Sequence, residues 1–597
     1  MFLKRNRRVK DGKDHYYWNI VENKRVRGGR IVQRQVLYLG EINDSQQMAW
    51  RKSIEIFEEG RRLPEQISLF PEERAPEIDD ESIVRIRLKD LRVERPRQWG
   101  ACWLACLLYE QLGLDEFWRE RLPDSREGTR WTSVLQTLVA YRLIAPGSEW
   151  RLHREWFERS AMAELLGEDF SIAEKNTLYR CHDRLLPHKK ALFAHLTQKW
   201  TDLFNARYDV LLYDLTSTYF ESDPNDGPAS KSRLRKFGYS RDKRSDCQQV
   251  VIALIVTPEA FPIAYEVLPG NTQDKTTLHD FLKRIEDAYG KANRVWVMDR
   301  GIPTEEVLEQ MRESDPPVSY LVGTPRSALA KYEEKLLSKD WQNIRPGIDV
   351  KLLGSEGENY VLARSDDRVL KEKSMRLRRL RALVKTLKKL RDSKRIYKRD
   401  TVLIKLGEAK KSAGPKVWAL LNIEITPNDA PEGQPPVTFS LNWKKYRQAY
   451  RREGRYLLRT NLNSDEPEKL WSYYIQLTEI EQVFKEMKND LAIRPIYHQT
   501  DQRIEAHIFI SFLAYCLWIT LKHRLKALAP GLTPAEVLSK MSAMQMLDVR
   551  IPTADGRTIV LNRYTEPNDD QTLLLNQLKL KLPPQPPPKI ESKFESL

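Results

Sequence analysis

The sequence predicts an α/β fold. A mixed sheet flanked by helices is interrupted by a β-rich insertion and preceded by a small β unit and a helical domain. Three observations carry this. Two short apolar runs, Val210-Leu-Leu-Tyr213 and Val295-Trp-Val-Met298, each lead straight into an aspartate, Asp214 and Asp299. Apolar runs of that length bounded by polar residues read as buried strands. Between and after them, strand and helix patterns alternate in an order suited to one sheet. Finally, over residues 474–491, Leu477, Ile480, Phe484, Met487 and Leu491 recur at 3-4-3-4 spacing, which makes one apolar helical stripe. Tyr474, Glu481 and Lys488, spaced by seven, form a second stripe roughly 60° round from it.

The elements follow in order. Residues 1–42 read as a small β unit: 15–21 alternates with aromatics, Arg27-Gly-Gly29 is a turn, and 31–39 is a second strand. Its many Lys and Arg residues suit contact with DNA or simply solubilise a β-ribbon. Residues 44–62 are expected to be helical, closing a unit over 1–62. An acidic, proline-marked linker spans 63–96. Residues 97–205 are helix-rich, with amphipathic stretches starting near Trp99, Arg130, Glu149 and Thr177. In 206–325, strands at 249–257 and 261–267 form a hairpin about Pro258-Glu-Ala. A helix at 277–288 follows, then one at 304–312 with Pro303 at its start, and then the strand Ser319–Gly323. Residues 455–530 bring the Glu481 helix and an almost wholly apolar buried helix over 505–521. Residues 531–597 hold a helix at 533–548, with Thr533 as N-cap and Pro534 in its first turn, and an extended, mobile proline-rich tail from Leu582.

Strand, strand, strand, helix, strand, helix, strand, then the Glu481 helix, is the connectivity of a ribonuclease-H-like sheet. The chain resembles a DDE transposase of bacterial insertion sequences, in the IS-four superfamily whose signature helix is written YREK. The resemblance rests on Leu212-Tyr-Asp214-Leu-Thr-Ser-Thr, on Val297-Met-Asp299-Arg-Gly301, and on Tyr474, Glu481 and Lys488 at the signature spacing. Supporting segments are Phe237-Gly-Tyr-Ser-Arg-Asp-Lys-Arg-Ser-Asp246-Cys-Gln-Gln249, Pro269-Gly-Asn271, Tyr456-Leu-Leu-Arg-Thr-Asn461 and Arg494-Pro-Ile-Tyr-His498. Leu477 departs from it, since the pattern expects arginine there. The resemblance implies an insertion between the second and third acids, placed at 326–454. Within it 369–391 is a highly basic helix with Leu370, Leu377, Leu380, Val384, Leu387 and Leu390 on one side, facing protein while Arg and Lys face DNA. A solvated two-helix hairpin is the competing reading. Residues 401–405, 416–423 and 437–441 read as strands. Trp418 or Trp443 is implied as a base-stacking residue, against the commoner buried strand tryptophan. The helical domain at 97–205 is implied to read the DNA ends, with a plain helical interface as the alternative.

Lysine and arginine number 100 against 84 acids, a net charge of +16 and a pI near 9.3. That balance favours a polyanionic partner. Five cysteines with no CxxC pair suit a reducing compartment rather than a disulfide framework, and Cys102 and Cys106 read as core thiols. No uncharged apolar run of about 18 residues is present, so no membrane span is expected. The basic start lacks the apolar core of a signal peptide, and the expected location is the bacterial cytoplasm, at the nucleoid.

Three carboxylates and no His/Cys cluster select hard divalent ions: Mg²⁺, two ions about 3.5–4 Å apart, with Mn²⁺ as substitute. The resemblance makes Asp214, Asp299 and Glu481 both catalytic and metal-binding. It implies cut-and-paste cleavage and strand transfer at inverted-repeat ends by in-line phosphoryl transfer. Tyr474 and Lys488 would grip the phosphate, and Arg244, Gln249, Arg300 and Lys485 complete the expected DNA-binding set. His498 and His507 read as structural. The expected partner is double-stranded DNA, as transposon ends and as target, with a homodimer in the synaptic complex. Two other readings stand beside this one: a catalytically silent DNA-binding protein derived from a transposase, and a ribonuclease-H-like nuclease.

Overall fold

The computed structural model describes the chain except residues 11–12, 26–30, 45, 49, 52–53, 55–85, 222–231, 273–293, 299–303, 325–339, 356–357, 393–398, 428–433, 463–465 and 592–597. The expected linker and the helix at 277–288 therefore fall largely or wholly outside the described residues, as does most of the helix at 44–62.

The N-terminal unit is a three-stranded antiparallel sheet: β1 (Phe2–Lys10), β2 (Lys13–Arg25) and β3 (Ile31–Gly40). It is not free-standing. Tyr38 N donates to Glu536 (2.8 Å), Lys540 donates to Val36 O (2.6 Å), and the buried Trp50 indole donates to Pro530 O (2.6 Å).

β4 (Arg92–Gln98) opens the helical region, whose helices include Gly100–Gln111, Trp131–Ile144, Lys175–Leu185 and Lys189–Phe204. The first three start within about two residues of the expected Trp99, Arg130 and Thr177, the usual uncertainty of helix ends. The expected start at Glu149 is a short helical turn, Glu149–Arg151, and the helix from Lys189 was not expected. These helices pack on the 28-residue helix Asp501–Leu528 and share one continuous hydrophobic core with the sheet that follows. By length and composition Asp501–Leu528 could cross a membrane, yet 94% of its most apolar stretch is buried inside the protein. It is the central core helix.

The central sheet has nine strands. β5 (Val210–Tyr219), β6 (Gln249–Val256) and β7 (Pro262–Pro269) form an antiparallel meander. β8 (Val295–Met298) and β9 (Ser319–Gly323) run parallel to β5 on its other side. β5 and β6 are buried almost throughout, as strands covered on both faces must be. The helix Glu305–Glu313 between β8 and β9 is capped by Thr304, whose Oγ1 accepts from Val307 N.

The insertion enlarges the sheet. β10 (Gln342–Arg345), β11 (Ile348–Ser355) and β12 (Glu358–Ser365) are joined to β9 through β15 (Arg455–Thr460), a strand beyond the insertion, giving the order β10-β11-β12-β15-β9-β8-β5-β6-β7. The basic helix is Asp366–Arg391, and it packs against Arg399–Ala413. The two helices pair, as in the competing reading, and they do so through leucines that face protein, as in the preferred one. Leu383, Leu387 and Leu390 meet Val402, Leu406 and Ala409 in a separate small core, whereas Leu370 is exposed. The strand expected at 401–405 is corrected. Val402, Leu406, Ala409 and Ala413 lie on one helical face, and that longer period overrides the local Thr-Val-Leu-Ile run. At 416–423 only the end is strand, β13 (Leu421–Ile425), which pairs with β14 (Val437–Leu441). The basic helix Trp443–Arg452 leads into β15 (Arg455–Thr460).

β15 shows why Tyr456-Leu-Leu-Arg-Thr-Asn461 is a recognisable segment. Arg459 donates to Glu358 on β12 (2.6 Å) and to Glu305 (2.6 Å). Asn461 accepts from Tyr320 N (2.9 Å) and donates to Val318 O (3.0 Å), tying β15 to β9.

At the C-terminus the helix is Pro534–Met541, with Thr533 as N-cap. The expected helix to 548 is corrected, because Gln545 begins β16 (Gln545–Pro552). β16 pairs with β17 (Thr558–Tyr564) and with β4, and β18 (Lys589–Glu591) completes this four-stranded sheet. The tail is extended as expected, but up to Glu591 it is docked rather than free. Gln585 and Tyr564 exchange hydrogen bonds of 3.1 and 2.9 Å, and the Tyr564 hydroxyl donates to Pro583 O.

Candidate active site

Asp214 lies inside β5, opposite Leu254 of β6, while Tyr213 stands beside Met298 of the parallel strand β8. Its Oδ1 accepts from Leu215 N (2.7 Å) and is 3.6 Å from Arg241 Nη1. The carboxylate is largely buried in the sheet, with 17% of the side chain exposed. Asp299 and Arg300 lie outside the described residues.

The single helix expected over 474–491 is two helices, Pro467–Ile475 and Leu477–Asn489, joined at Gln476. Gln476 has ψ −18°, nearer a 3₁₀ turn than an α-helix. Tyr474 therefore ends one helix and Glu481 belongs to the next. The apolar stripe is buried as expected: Leu477, Ile480, Phe484, Met487 and Leu491 all sit in the main core, and the second helix packs against β5. Glu481 is exposed at the margin of that stripe.

Asp214, Tyr474 and Glu481 line one polar cleft of about 380 Å³. Its other wall carries Arg368 and Glu372 from the basic helix, Lys416, and Arg455 from β15. None of these four was singled out as a site residue in the sequence. Arg455 directly precedes the Tyr456–Asn461 segment, and Arg368 directly precedes the basic stretch 369–391. Leu477 also lines the cleft but belongs to the core, so positive charge reaches this space from the insertion side.

The expected DNA-contacting residues separate into groups. Lys485 is exposed one turn beyond Glu481. Lys488 is mostly buried, and its ammonium donates to both oxygens of Asp242 (3.0 and 3.2 Å). Burial pushes its pKa below the ordinary lysine value, against the pull of Asp242. Arg494 pairs with the same carboxylate. Arg244 is held by Asp246 (3.0 Å) and Glu221 (3.0 Å), and these hydrogen bonds raise its pKa. Gln249 is corrected: it is fully buried, its amide donating to Gly270 O (3.3 Å), so it has no face to offer DNA. Trp418 is half-buried against the insertion core, whereas Trp443 is exposed at the start of its helix.

The loop carrying Arg241 and Asp242 is fixed by close backbone approach. Lys236 and Gln249 exchange backbone hydrogen bonds, and Gly270 N donates to Leu234 O (2.9 Å). A Cβ on Gly270 would lie 2.0 Å from Gln249 O and 2.4 Å from Lys236 O, both backbone atoms. Gly270→Ala should therefore force the loop off the sheet and destabilise the protein by about 2 kcal/mol or more. A urea midpoint unchanged from wild type would contradict this.

A sequence model of the family described as "Transposase DDE domain" matches residues 205–517, just over half of the chain. The chain belongs to the DDE transposase family. No curated protein matches the sequence. Among solved structures, the chain resembles the cryo-EM structure of the piggyBac transposase synaptic complex with hairpin DNA, at TM-score 0.35 and 10% identity. That match covers 73% of this chain and 79% of that chain, a likeness too loose to say anything of chemistry.

Members of this family generally use divalent metals in polynucleotidyl transfer. In this transposase the residues present fit such an ion: Asp214 and Glu481 offer hard oxygen donors to one cleft.

Proposed function

We propose that this transposase is of the IS-four, YREK type, with a ribonuclease-H-like core. It cleaves and joins the inverted-repeat ends of an insertion sequence by in-line phosphoryl transfer and moves the element by cut and paste. The observation that supports this best is that Asp214 and Glu481, 267 positions apart, line the same cleft with Tyr474. Asp299 completes the set by sequence: it follows Met298, which the parallel register sets beside Tyr213, the residue before Asp214.

Asp214, Asp299 and Glu481 would hold two Mg²⁺ ions, which when bound supply Lewis-acid polarisation of the scissile phosphate and charge neutralisation at the leaving oxygen. In cleavage, water attacks phosphorus and the bond to the 3′-oxygen breaks, the leaving oxygen taking up a proton. In joining, that 3′-hydroxyl attacks a target phosphate and displaces a second 3′-oxygen. The chain's own part is positioning and electrostatics. Arg368, Lys416 and Arg455 set positive charge across the cleft from the acids and draw the DNA backbone between the walls. Arg368 takes over the contact that the signature arginine, here Leu477, would make. Tyr474 bounds the cleft next to Glu481 and orients the phosphate. Two transposase copies on paired ends, with the helical domain reading each end, complete the reading. Its test is strand transfer on DNA carrying the element's own inverted repeats, and failure on that substrate but cutting of arbitrary DNA would favour a plain nuclease.

Lys488 needs a partner exchange in this scheme. Asp242 occupies it in the DNA-free protein, so an incoming phosphate competes with a carboxylate for the same ammonium. Lys488→Ala should lower the salt slope of end binding by about 0.9, one phosphate contact's worth. Asp242→Asn, which removes the competitor, should tighten end binding. If both variants bind with wild-type affinity and slope, Lys488 serves only to anchor the loop.

A further inference from the structure

Outside the catalytic cleft, Glu149, His182 and His498 meet in the interior. Glu149 begins a short helical turn, His182 lies on the helix Lys175–Leu185, and His498 follows the signature helix. Their exposures are 2%, 0% and 5%. His182 Nε2 and His498 Nε2 are each 3.3 Å from Glu149 Oε1. Among the described residues, this is the group of His, Cys, Asp and Glu whose donor atoms converge most clearly, all within 4.8 Å of one another.

These contacts are at ion-pair distance but lack good hydrogen-bond angles. Glu149 Oε2, both nitrogens of His182 and Nε2 of His498 are buried without a hydrogen-bond partner. Each orphaned atom costs about 1–3 kcal/mol, and such groups are rarely left concentrated in one place. A shared ion accounts for Nε2 of each histidine and for the Glu149 carboxylate together, one nitrogen per imidazole. Zinc bonds to imidazole and carboxylate are about 2.0–2.2 Å long, which in a tetrahedron sets the donors about 3.3–3.5 Å apart. The two 3.3 Å separations match that edge, and Glu149 Oε2 is available as a further donor. Two imidazoles and one carboxylate select zinc over magnesium.

We infer that Glu149, His182 and His498 form a structural zinc site that staples the helical region to the catalytic core. Ile496, two residues before His498, donates to Tyr219 O (3.0 Å) at the far end of β5. Tyr219 is five residues along that strand from Asp214, roughly 16 Å at a strand's rise, so this site is separate from the catalytic acids. Arg142 tempers its strength. Its guanidinium lies 3.9 Å from Glu149 Oε1, donates to Ala492 O (3.1 Å) and faces His507 Nδ1 (3.4 Å). That extra positive charge works against a buried cation and makes the ion removable by strong chelators.

The test is the metal content of the full-length protein, produced with added zinc and desalted without chelator. About one zinc per chain is expected. Chelation should lower the thermal midpoint, and zinc alone, not magnesium, should restore it. Co²⁺ in its place should give the visible bands of a four-coordinate ion, and His182→Gln should lose both zinc and bands. Substoichiometric zinc in wild type, together with a midpoint indifferent to chelator and to added zinc, overturns the inference. It would leave Glu149 as a buried carboxylate compensated by His182 and His498, with Arg142 further off. Magnesium-dependent nicking, measured in parallel, separates the two assignments. Asp214→Asn should keep its zinc, and absence of zinc in a protein that still nicks DNA sinks this site alone.

Discussion

Asp214→Asn should abolish magnesium-dependent nicking of the transposon ends, by about a thousandfold or more, while end binding stays near wild type. Asparagine keeps the shape of the side chain and an oxygen that accepts from Leu215 N, so β5 and its pairing with β6 and β8 have no reason to change. What disappears is the negative charge that faces the cleft and the Arg241 guanidinium at 3.6 Å. A neutral amide oxygen is a poor ligand for a hard divalent ion. Glu481→Gln, on the helix beside β5, should produce the same loss, and so should Asp299→Asn. Asp246→Asn is the control: that acid lies on the same loop as Arg241 but is exposed and paired with Arg244. End binding is measured by gel shift and nicking on supercoiled DNA carrying the inverted repeats. Nicking at wild-type rates in the Asp214 or Glu481 variant would remove the basis of the catalytic assignment.

The parts of this site that could be read from sequence are those set by local pattern. Val210 to Tyr213, Val295 to Met298 and Ser319 to Gly323 are continuous apolar runs, because strands covered on both faces need no polar alternation. The stripe from Leu477 to Leu491 shows itself because a helix over a core repeats its apolar residues every three or four positions. What stayed hidden depends on contacts made far along the chain. Arg368 and Arg455 reach the cleft only because the insertion adds strands to the central sheet. Glu149, His182 and His498 come from three separate segments, and no ligand spacing announces them. Gln249 looked like a polar residue at a loop end, but its amide is consumed by Gly270 O in the sheet. Arg92 to Gln98 is too charged to read as a strand, and its partner lies at the other end of the sequence.

That last pairing carries the largest stability effect expected outside the core. Arg97 is 1% exposed and donates to both oxygens of Asp548 (3.1 and 2.6 Å) and to Arg95 O (3.0 Å), with Glu164 at 2.8 Å. It fastens β4 to β16 and so joins the start of the helical region to the C-terminal sheet. Arg97→Met keeps much of the side-chain volume but strands two carboxylates that the arginine had neutralised. Asp548 retains Arg95 (3.2 Å) and Asn562 (2.6 Å), yet breaking a buried pair from one side costs about 3–5 kcal/mol. The loss should depend on pH. Burial alone would raise the Asp548 carboxyl, but the Arg97 hydrogen bonds and charge outweigh it and hold the group below the ordinary carboxylate range. A carboxyl depressed in the folded state stabilises the fold above its unfolded pKa, about 3.9, and that contribution fades as pH falls through the folded value. The gap in urea midpoint between wild type and Arg97→Met should thus be full near pH 6 and narrow below about pH 4. A gap that is the same at both ends of that range would mean that Arg97 stabilises the joint by packing rather than by charge.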